Sequence, residues 1–286
     1  MPIFVRKIKI SIAMKNSILL LISLLALASC KGENAAQSTA QEKSATLMVY
    51  FGTTNDQTRA LTIDSLNKKA KEISENLFEA YTSRIVIKRL KERDIEKETP
   101  GEVLTRLSNK GYTRVTIIPT FIIPGKESKM LDEEVNSFRE KFKEITVKTP
   151  LLCSVEDCDF VTDVIAERNK TNTPSHHVLF VGHGTDDPAT AVYSQMDYML
   201  KAKGFINMHV ATIEGYPTFE TALQLLKKGN AKTVTLVPLM FVAGDHAVND
   251  ISKEWKENLE KNGFKVELNI EGLGQIPQIQ SYYLSR

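Results

Sequence analysis

The sequence lacks the features that would assign it to several large classes of protein. It has three cysteines and one tryptophan among 286 residues, and its 37 basic side chains are nearly balanced by 35 acidic ones. A nucleic-acid-binding protein would show a strong basic excess, so that class is excluded. The P-loop, G-x-G-x-x-G and G-x-S-x-G motifs are missing, so nothing predicts nucleotide binding or a serine hydrolase. After residue 30, no apolar stretch is long enough to span a bilayer.

The N-terminus departs from this average composition. Several basic residues precede an apolar run from Ile18 to Ala28, which is typical of an export signal rather than of a membrane span. Leu27-Ala28-Ser29-Cys30 resembles the bacterial lipobox, which predicts a lipoprotein signal peptide over residues 1–29 and a lipidated Cys30. The polar residues 30–44 then predict a flexible tether. We therefore expect an exported protein that is lipid-anchored in the cell envelope, with an uncleaved apolar helix as the alternative.

Two further cysteines, Cys153 and Cys158, are separated by four residues. In an exported protein such a pair is consistent with a disulfide, and the spacing permits the bond without requiring it. Two free thiols that pack as small apolar side chains are the alternative. A metal site built from this pair alone is not predicted, because no second pair of ligands accompanies it.

Two stretches of the chain repeat each other. Val115–Glu127 reads VTIIPTFIIPGKE and Val234–His246 reads VTLVPLMFVAGDH, at a constant offset of 119 residues. A second pair of stretches, Val49–Thr53 and Val181–Thr185, supports the match. The chain therefore looks like two copies of one unit.

The two copies differ at matched loop positions. His246 of the second copy corresponds to Glu127 of the first, and His183 corresponds to Phe51. The second copy thus carries histidine at both positions, which makes it the candidate for the chemistry.

Strand and helix patterns alternate along both copies, which predicts an α/β fold of parallel sheets with helices on both faces. We expect two pseudo-duplicated domains, at residues 45–155 and 156–286, with an active-site cleft between them. A helix is expected over Thr58–Phe78, and Ile145–Cys153 is expected to cross between the domains. The first copy is longer than the second, and its extra residues are expected around Tyr81–Glu98.

Two histidines lie in loops at the ends of predicted strands. His183 is flanked by Gly182 and Gly184, which allow a sharp turn and the close approach of a ligand. His246 follows the buried strand that begins at Val234. Because open α/β sheets bind ligands at the carboxyl ends of their strands, we interpret this pair as a site.

Glu214 follows a third predicted strand, Phe205–Ile213, and is the third candidate ligand. Two imidazoles and one carboxylate suit cobalt, iron, nickel or zinc rather than calcium or magnesium. A solvated loop carboxylate is the alternative for Glu214. Glu127 is expected to face this group across the cleft.

The other three histidines are not assigned to the site. His176 and His177 lie in a polar segment and are expected to be solvated. His209 lies inside a predicted strand, where a structural role is favoured.

Three motifs carry a resemblance to a known family. They are His183-Gly184 after a strand, E-x-Y-P at Glu214–Pro217, and the highly specific block A-G-D-H-A-x-N-D at Ala243–Asp250. From about Ala45 to the C-terminus, the chain resembles the anaerobic (class II) sirohydrochlorin cobaltochelatases of the ferrochelatase-like superfamily. That family inserts cobalt into sirohydrochlorin on the route to cobalamin, and its duplicated architecture is similar to the one expected here.

The resemblance implies roles for individual residues. His183, Glu214 and His246 correspond to the metal-binding residues, and His183 also corresponds to the proton acceptor. His246 and Glu127 complete the catalytic set that the resemblance implies, with Glu127 as a carboxylate of the same cleft.

Two departures from the family pattern lie in the first copy. Phe121 stands where members often have histidine, and Lys126 and Ser128 flank Glu127 in place of an acidic and an aromatic residue. The first-half wall of the cleft is therefore expected to be altered.

These observations predict a chelatase that inserts a divalent metal, cobalt first and iron or nickel next, into a tetrapyrrole such as sirohydrochlorin. Insertion removes two pyrrole protons, and a histidine that titrates near neutral pH can accept one of them. The metal is a substrate, and no nucleotide or redox cofactor is needed. Contact with a membrane is expected through Cys30, and a homo-oligomer is left open.

Two other functions stay as alternatives. One is a tetrapyrrole- or metal-binding lipoprotein of the envelope without turnover, and the other is a metal-dependent hydrolase that activates water with the same ligands. The basic run Arg84–Arg93 has the charge to meet ring carboxylates, although a solvated helix face is the favoured interpretation. Export itself disagrees with the resemblance, because cobalamin synthesis by this route is expected in the cytoplasm.

Overall fold

The computed structural model describes residues 42–244 and 249–286. The predicted signal peptide at residues 1–29, Cys30 and most of the predicted tether lie outside these residues, and so does His246. Within the described ranges, no helix has both the length and the apolar character needed to cross a membrane.

The first half of the chain forms one four-stranded parallel sheet. Its strands are β1 (Ser44–Tyr50), β2 (Leu77–Tyr81), β3 (Arg114–Pro119) and β4 (Glu144–Val147), in the order β2-β1-β3-β4. Its helices are α1 (Asp56–Arg59), α2 (Ser65–Ile73), α3 (Arg84–Lys91), α4 (Pro100–Asn109) and α5 (Lys126–Asn136). A π-helical turn, Ala60–Asp64, joins α1 to α2, and a 3₁₀ turn, Arg139–Lys141, precedes β4.

The second half begins with a helix and forms a second four-stranded parallel sheet. Its strands are β5 (His176–Gly184), β6 (Met208–Glu214), β7 (Thr233–Pro238) and β8 (Lys265–Leu268), in the order β6-β5-β7-β8. Its helices are α6 (Val155–Arg168), α7 (Ala191–Ala202), α8 (Phe219–Lys228), α9 (Lys256–Lys261) and α10 (Pro277–Ser285). Shorter helical turns lie at Pro188–Thr190, Asp250–Trp255 and Leu273–Gln275.

The two sheets have the same strand order and the same register. Val49 of β1 lies opposite Pro119 of β3, and Val181 of β5 lies opposite Pro238 of β7. These are the residues that the repeats match in the sequence. The predicted α/β fold of two duplicated parallel sheets is therefore confirmed.

Side chains of the central strands alternate between two cores, as the period of a strand requires. Leu47 and Val49 of β1 pack with the helices on the outer face, whereas Met48 and Tyr50 enter a second cluster. This second cluster also contains Phe180 of β5, so the halves share one continuous core with helices on both faces of each sheet. The domain boundary expected at residue 155 stays a prediction.

Two edge strands differ from the predicted elements. The helix expected over Thr58–Phe78 ends at Ile73, and Leu77–Tyr81 forms β2. The segment Ile145–Cys153, expected only to cross between the domains, begins inside β4. Each of these strands pairs with one neighbour only, and that pairing is a long-range contact that local spacing does not show.

The end of the predicted tether belongs to the folded body. Ser44 is already the first residue of β1, and the Glu42 carboxylate pairs with Arg114 and Lys143. Hydrogen bonds from Lys143 and Arg114 lower the pKa of Glu42 to about 2.

The expectation that His177 is solvated is wrong. His177 and His209 are each 3% exposed, and Nδ1 of His177 lies 2.9 Å from Nε2 of His209. Nδ1 of His209 lies 3.2 Å from Nζ of Lys201, and burial lowers the pKa of His209 to about 3. His176 is half-buried, with Nε2 2.8 Å from the hydroxyl of Thr235. The structural role expected of His209 is confirmed.

Cys153 and Cys158 are free thiols, the first exposed and the second buried. Ser154 caps helix α6, so Cys158 lies near the start of that helix and packs into the shared core. Burial raises the pKa of the Cys158 thiol to about 11. The structure therefore matches the free-thiol alternative.

Candidate active site

A cavity of about 350 Å³ lies where the central strands of both sheets end. Its walls come from the loops after β1, β3 and β7 and from the end of β5, together with α3 and parts of α5 and α7. This volume is at the lower end of the range of ligand pockets, roughly 300–1,000 Å³. Parallel α/β sheets bind their ligands at this end of the strands, so the cavity is the candidate active site.

His183 lines this cavity at the end of β5, and its side chain is exposed there. Gly184 has a φ of +78°, and a Cβ atom at this position would lie 1.6 Å from the carbonyl oxygen of Glu214. A Cβ atom on Gly182 would lie 2.3 Å from the ring of Tyr193. Both neighbours of His183 must therefore be glycine for the strand to pack as it does.

The ring of His183 has one nitrogen close to the backbone. Nδ1 lies 3.3 Å from the carbonyl oxygen of Gly184. When Nδ1 carries the hydrogen and donates it to this oxygen, Nε2 keeps a free lone pair. A histidine held in this tautomer can bind a metal ion or accept a proton through Nε2.

Glu127 lines the same cavity from the first turn of α5, in the first half. Two ion pairs beside it join α5 to the loop after His183. Nζ of Lys126 lies 2.5 Å from Oδ1 of Asp186, and Lys129 pairs with Asp187. The hydrogen bond to Asp186 raises the pKa of Lys126. The structure thus brings Glu127 and His183 to one cavity and connects the segments that carry them.

The predicted metal-binding set is only partly described. Glu214 is the exposed last residue of β6 and the strand partner of Gly184, but it is not one of the described residues that line the cavity. His246 lies outside the described residues, and the cavity wall on its side is described as far as Gly244. Across residues 42–244 and 249–286, no three His, Cys, Asp or Glu side chains are placed to hold a metal ion. The set His183, Glu214 and His246 stays a prediction.

Much of the remaining wall is apolar. Helix α10 supports it by contacting loops of both halves. Phe121 lines the cavity and is 8% exposed. The hydroxyl of Tyr283 lies 3.1 Å from the carbonyl oxygen of Thr120 and 3.2 Å from that of Phe121. The Tyr283 ring packs edge-on against Phe241, with ring centroids 5.6 Å apart. Tyr283 thereby joins a first-half loop to a second-half loop, and both loops line the cavity.

Comparison with known protein families finds one whose model matches most of the chain. The model of the cobalt chelatase (CbiK) family matches residues 44–286, which include both sheets and the whole described wall. The chain belongs to the cobalt chelatase family.

Several relatives of this chain are known by name. The sirohydrochlorin cobaltochelatase of Salmonella typhimurium is 32% identical over 250 residues, covering 85% of this chain and 94% of the relative. The sirohydrochlorin cobaltochelatase CbiKC of Nitratidesulfovibrio vulgaris is 30% identical over 193 residues, covering 65% and 68%. The sirohydrochlorin ferrochelatase of Priestia megaterium is 28% identical over 161 residues, covering 53% and 58%.

Solved chelatase structures share the fold. SirB from Bacillus subtilis with Fe3+ has a TM-score of 0.61 at 16% identity, covering 85% of this chain and 94% of that one. CbiX, the terminal enzyme of siroheme biosynthesis in denitrifying bacteria, has a TM-score of 0.53 at 16% identity, covering 84% and 96%. These likenesses confirm the architecture expected for a cobalt chelatase.

Sequence reasoning missed the contribution of helix α3 to this site. Ile85, Val86 and Arg89 line the cavity, although the basic run was interpreted as a solvated helix face. The extra length of the first copy is the signal that points to it. The first half has α3 between β2 and α4, whereas the second half runs directly from β6 to α8.

Proposed function

We propose that this member of the cobalt chelatase family inserts cobalt into sirohydrochlorin. The observation that carries the proposal is the family match over residues 44–286, which includes both halves of the cavity. The cavity itself supports it, because it combines a histidine and a carboxylate with a largely apolar wall.

The residues present suit the chemistry of metal insertion. The ion must lose part of its water shell, and two pyrrole N–H protons must leave the ring. Nε2 of His183, with its lone pair free, first holds the ion and then accepts a proton as the ion moves to the ring. Glu127 provides a second acceptor from the first half. Acid–base assistance of this kind is worth about 10²–10⁴-fold in rate.

The metal ion requires more than one protein ligand before it is transferred to the ring. We propose His246 and Glu214 as the other ligands, on the strength of their motifs and of the position of Glu214 beside Gly184. Few protein ligands leave coordination positions open for the ring nitrogens, and imidazole and carboxylate suit cobalt.

The test is turnover by the full-length protein purified in detergent. Co²⁺ and sirohydrochlorin are supplied in excess, and insertion is followed as a change in the absorption bands of the ring. We expect many equivalents of metallated ring per protein, and at least a tenfold loss of rate in His246→Ala. Release of a single equivalent would mean a binding protein and would contradict the proposal.

The preferred metal is a separate proposal, because one of the relatives named above is a ferrochelatase. We propose cobalt as the preferred substrate, followed by iron or nickel. The measurement is kcat/KM for Co²⁺, Fe²⁺ and Ni²⁺ under anaerobic conditions. A higher value for Fe²⁺ or Ni²⁺ than for Co²⁺ would overturn this order.

We also propose that the protein is an exported lipoprotein of the cell envelope, anchored through Cys30. The support is the basic and apolar N-terminus followed by Leu27-Ala28-Ser29-Cys30. Two or more acyl chains on one cysteine suffice for stable anchoring. Fractionation should place the wild type in the membrane fraction and Cys30→Ala outside it. A wild-type protein in the cytoplasm with its N-terminus intact would exclude export and favour a biosynthetic role there.

A further inference from the structure

Helix α3 gives the cavity a permanent positive charge. Among the described residues that line the cavity, Arg89 is the one with a cationic side chain at every physiological pH. Its neighbours on the cavity side of the helix, Ile85 and Val86, are apolar. A guanidinium at the edge of an apolar cavity is suited to an anionic group on an otherwise apolar ligand.

The other basic residues of Arg84–Arg93 either bind groups elsewhere in the protein or do not line the cavity. Arg93 donates to the carbonyl oxygen of Thr54 at 2.6 Å and pairs with Asp56. Arg84, Lys88 and Lys91 are exposed, follow one another at helical spacing on another stripe of α3, and do not line the cavity.

Arg89 is available for a ligand in a way that Arg93 is not. Within residues 42–244 and 249–286, its side chain makes no hydrogen bond or ion pair. Arg89 is exposed and lines the cavity, so a ligand would not have to displace a partner. The cost of binding there is limited to partial loss of hydration and of side-chain freedom.

The backbone of α3 is fixed on both sides of Arg89. The Ser83 side chain caps the helix by accepting from the amide of Val86 at 3.3 Å. Leu90, directly after Arg89, is fully buried in the shared core. Arg93 ties the end of the helix to the loop that follows β1. The guanidinium is therefore carried on a rigid element that presents it to the cavity.

We propose that Arg89 binds a carboxylate on the rim of the tetrapyrrole and so sets the orientation of the ring over His183 and Glu127. The proposal rests on the proposed function, which supplies the ring as substrate. The planar guanidinium can hold a carboxylate with two parallel hydrogen bonds, while Ile85 and Val86 contact the apolar ring. Because α3 has no counterpart in the second half, only one edge of the ring is held in this way.

The test compares two ring substrates and three variants of the full-length protein in detergent. The substrates are sirohydrochlorin and its fully methyl-esterified form, which has no rim charge. The variants are Arg89→Ala, Arg89→Lys and the matched control Arg84→Ala, an arginine on the same helix that does not line the cavity. Binding of the metal-free ring is measured by absorbance titration, and cobalt insertion is measured as KM and kcat.

We expect Arg89→Ala to raise both Kd and KM for sirohydrochlorin about tenfold, which is the size of one charge-assisted hydrogen bond. The value of kcat should change by less than about twofold, because other residues bind the metal ion and accept the pyrrole protons. Arg89→Lys should recover part of the loss, and Arg84→Ala should behave as wild type. With the esterified ring, the wild type and Arg89→Ala should bind equally.

The binding measurement separates failure of this inference from failure of the proposed function. If the wild type inserts cobalt and Arg89→Ala has an unchanged KM, the inference is wrong and the function stands. If the ring binds without turnover, the function fails, and a tenfold weaker Kd in Arg89→Ala still supports the inference. An equal loss on the esterified ring, or no binding of sirohydrochlorin by the wild type, overturns it.

Discussion

The two halves of the molecule share one sheet topology and differ in what their strand ends carry. The position after β1 holds Phe51, and the matched position at the end of β5 holds His183. Both side chains line the cavity. The loops after β3 and β7 differ in the same way, with Glu127 in the first half matched to His246 in the second. One copy carries the imidazoles, while the other contributes aromatic surface and a carboxylate.

The difference extends to the helices and to the core. The first half contains helix α3, which has no counterpart between β6 and α8 of the second half. This helix adds Arg89, Ile85 and Val86 to the cavity wall. At matched register positions opposite the central strands, β2 has Phe78 and β6 has His209. The two halves are thus equivalent scaffolds, of which one is the source of the proposed metal chemistry and the other the source of the proposed ring recognition.

The largest expected effect comes from making the second half match the first at its candidate catalytic position. His183→Phe places the residue of the first half on β5 and removes the Nε2 lone pair. We expect kcat/KM for cobalt insertion to fall by about 10²-fold or more. His176→Phe, on the same strand but outside the cavity, should stay within about threefold of wild type. A His183→Phe protein that keeps half of the wild-type rate would exclude the proposed role of this imidazole.

The matched glycines of the two halves should differ in how much they tolerate a side chain. A Cβ atom on Gly184 would meet a backbone oxygen at 1.6 Å, whereas one on Gly52 would meet a side chain, the ring of Tyr81, at 2.4 Å. Both have positive φ, which alone costs about 1–3 kcal/mol for a residue other than glycine. We expect Gly184→Ala to lower the free energy of unfolding by more than about 3 kcal/mol, and Gly52→Ala by less.

Urea unfolding followed by circular dichroism measures this difference. Gly204→Ala is the control, because Gly204 also has a positive φ but no atom lies within 4 Å of its Cβ position. It should show the cost of the backbone conformation without the clash. Equal losses in all three variants would mean that the contact with Glu214 is unimportant.

The buried histidines of the second half should make the free energy of unfolding depend on pH. In the unfolded chain a histidine titrates near pH 6.5, whereas burial lowers the pKa of His209 to about 3. Between these values the unfolded state binds more protons. The contribution is therefore fully present above about pH 6.5 and is lost as the pH falls towards 3.

The variant His209→Phe introduces the residue that the first half has at this position. Between pH 7 and pH 4 we expect the wild type to lose about 2–3 kcal/mol more free energy of unfolding than His209→Phe does. Thermal or urea unfolding at a series of pH values measures it. Parallel pH profiles for the two proteins would show that His209 does not titrate differently on unfolding.

The smallest effect is expected from the ion pairs that join the halves at the rim of the cavity. Lys126, Lys129 and Asp186 are well exposed to solvent, so water and salt screen their attraction. The double variant Lys126→Ala/Lys129→Ala should unfold close to the wild-type urea midpoint. At high salt the midpoints of the variant and the wild type should coincide. A large shift in high salt would mean that these lysines stabilise the halves by packing rather than by charge.

The fold was predictable because the central strands are strongly apolar and occur twice. Val234–Val237 consists of β-branched and apolar residues, and its copy at Val115–Ile118 has the same pattern, so both were recognised as buried strands. The edge strands β2 and β4 were missed for a physical reason. Each pairs on one side only, and Leu77 continues the helical spacing of the preceding residues.

The candidate site was predictable at the strand ends and not elsewhere. His183 and Glu127 could be placed because turns and matched repeats put them at or after the carboxyl ends of strands, whereas the site role of Glu214 stays a prediction. The burial of His177 depends on His209, a partner 32 residues away, and nothing near His177 in the sequence indicates it. Arg89 could not be separated from Arg84 and Lys88 until the position of α3 relative to the cavity was known.

The bridge made by Tyr283 has a consequence for the order in which the molecule is assembled. Its hydroxyl reaches a carbonyl group 163 residues earlier in the chain, which makes it a contact of very high sequence separation. At a synthesis rate of about 5–20 residues per second, roughly 10–30 s pass between the emergence of Thr120 and that of Tyr283. For most of that interval the second sheet is incomplete, because β8 ends at Leu268, and until Tyr283 emerges the two loops cannot be joined. A chain that is still being synthesised should therefore be unable to bind a metal ion or a tetrapyrrole in a complete cavity.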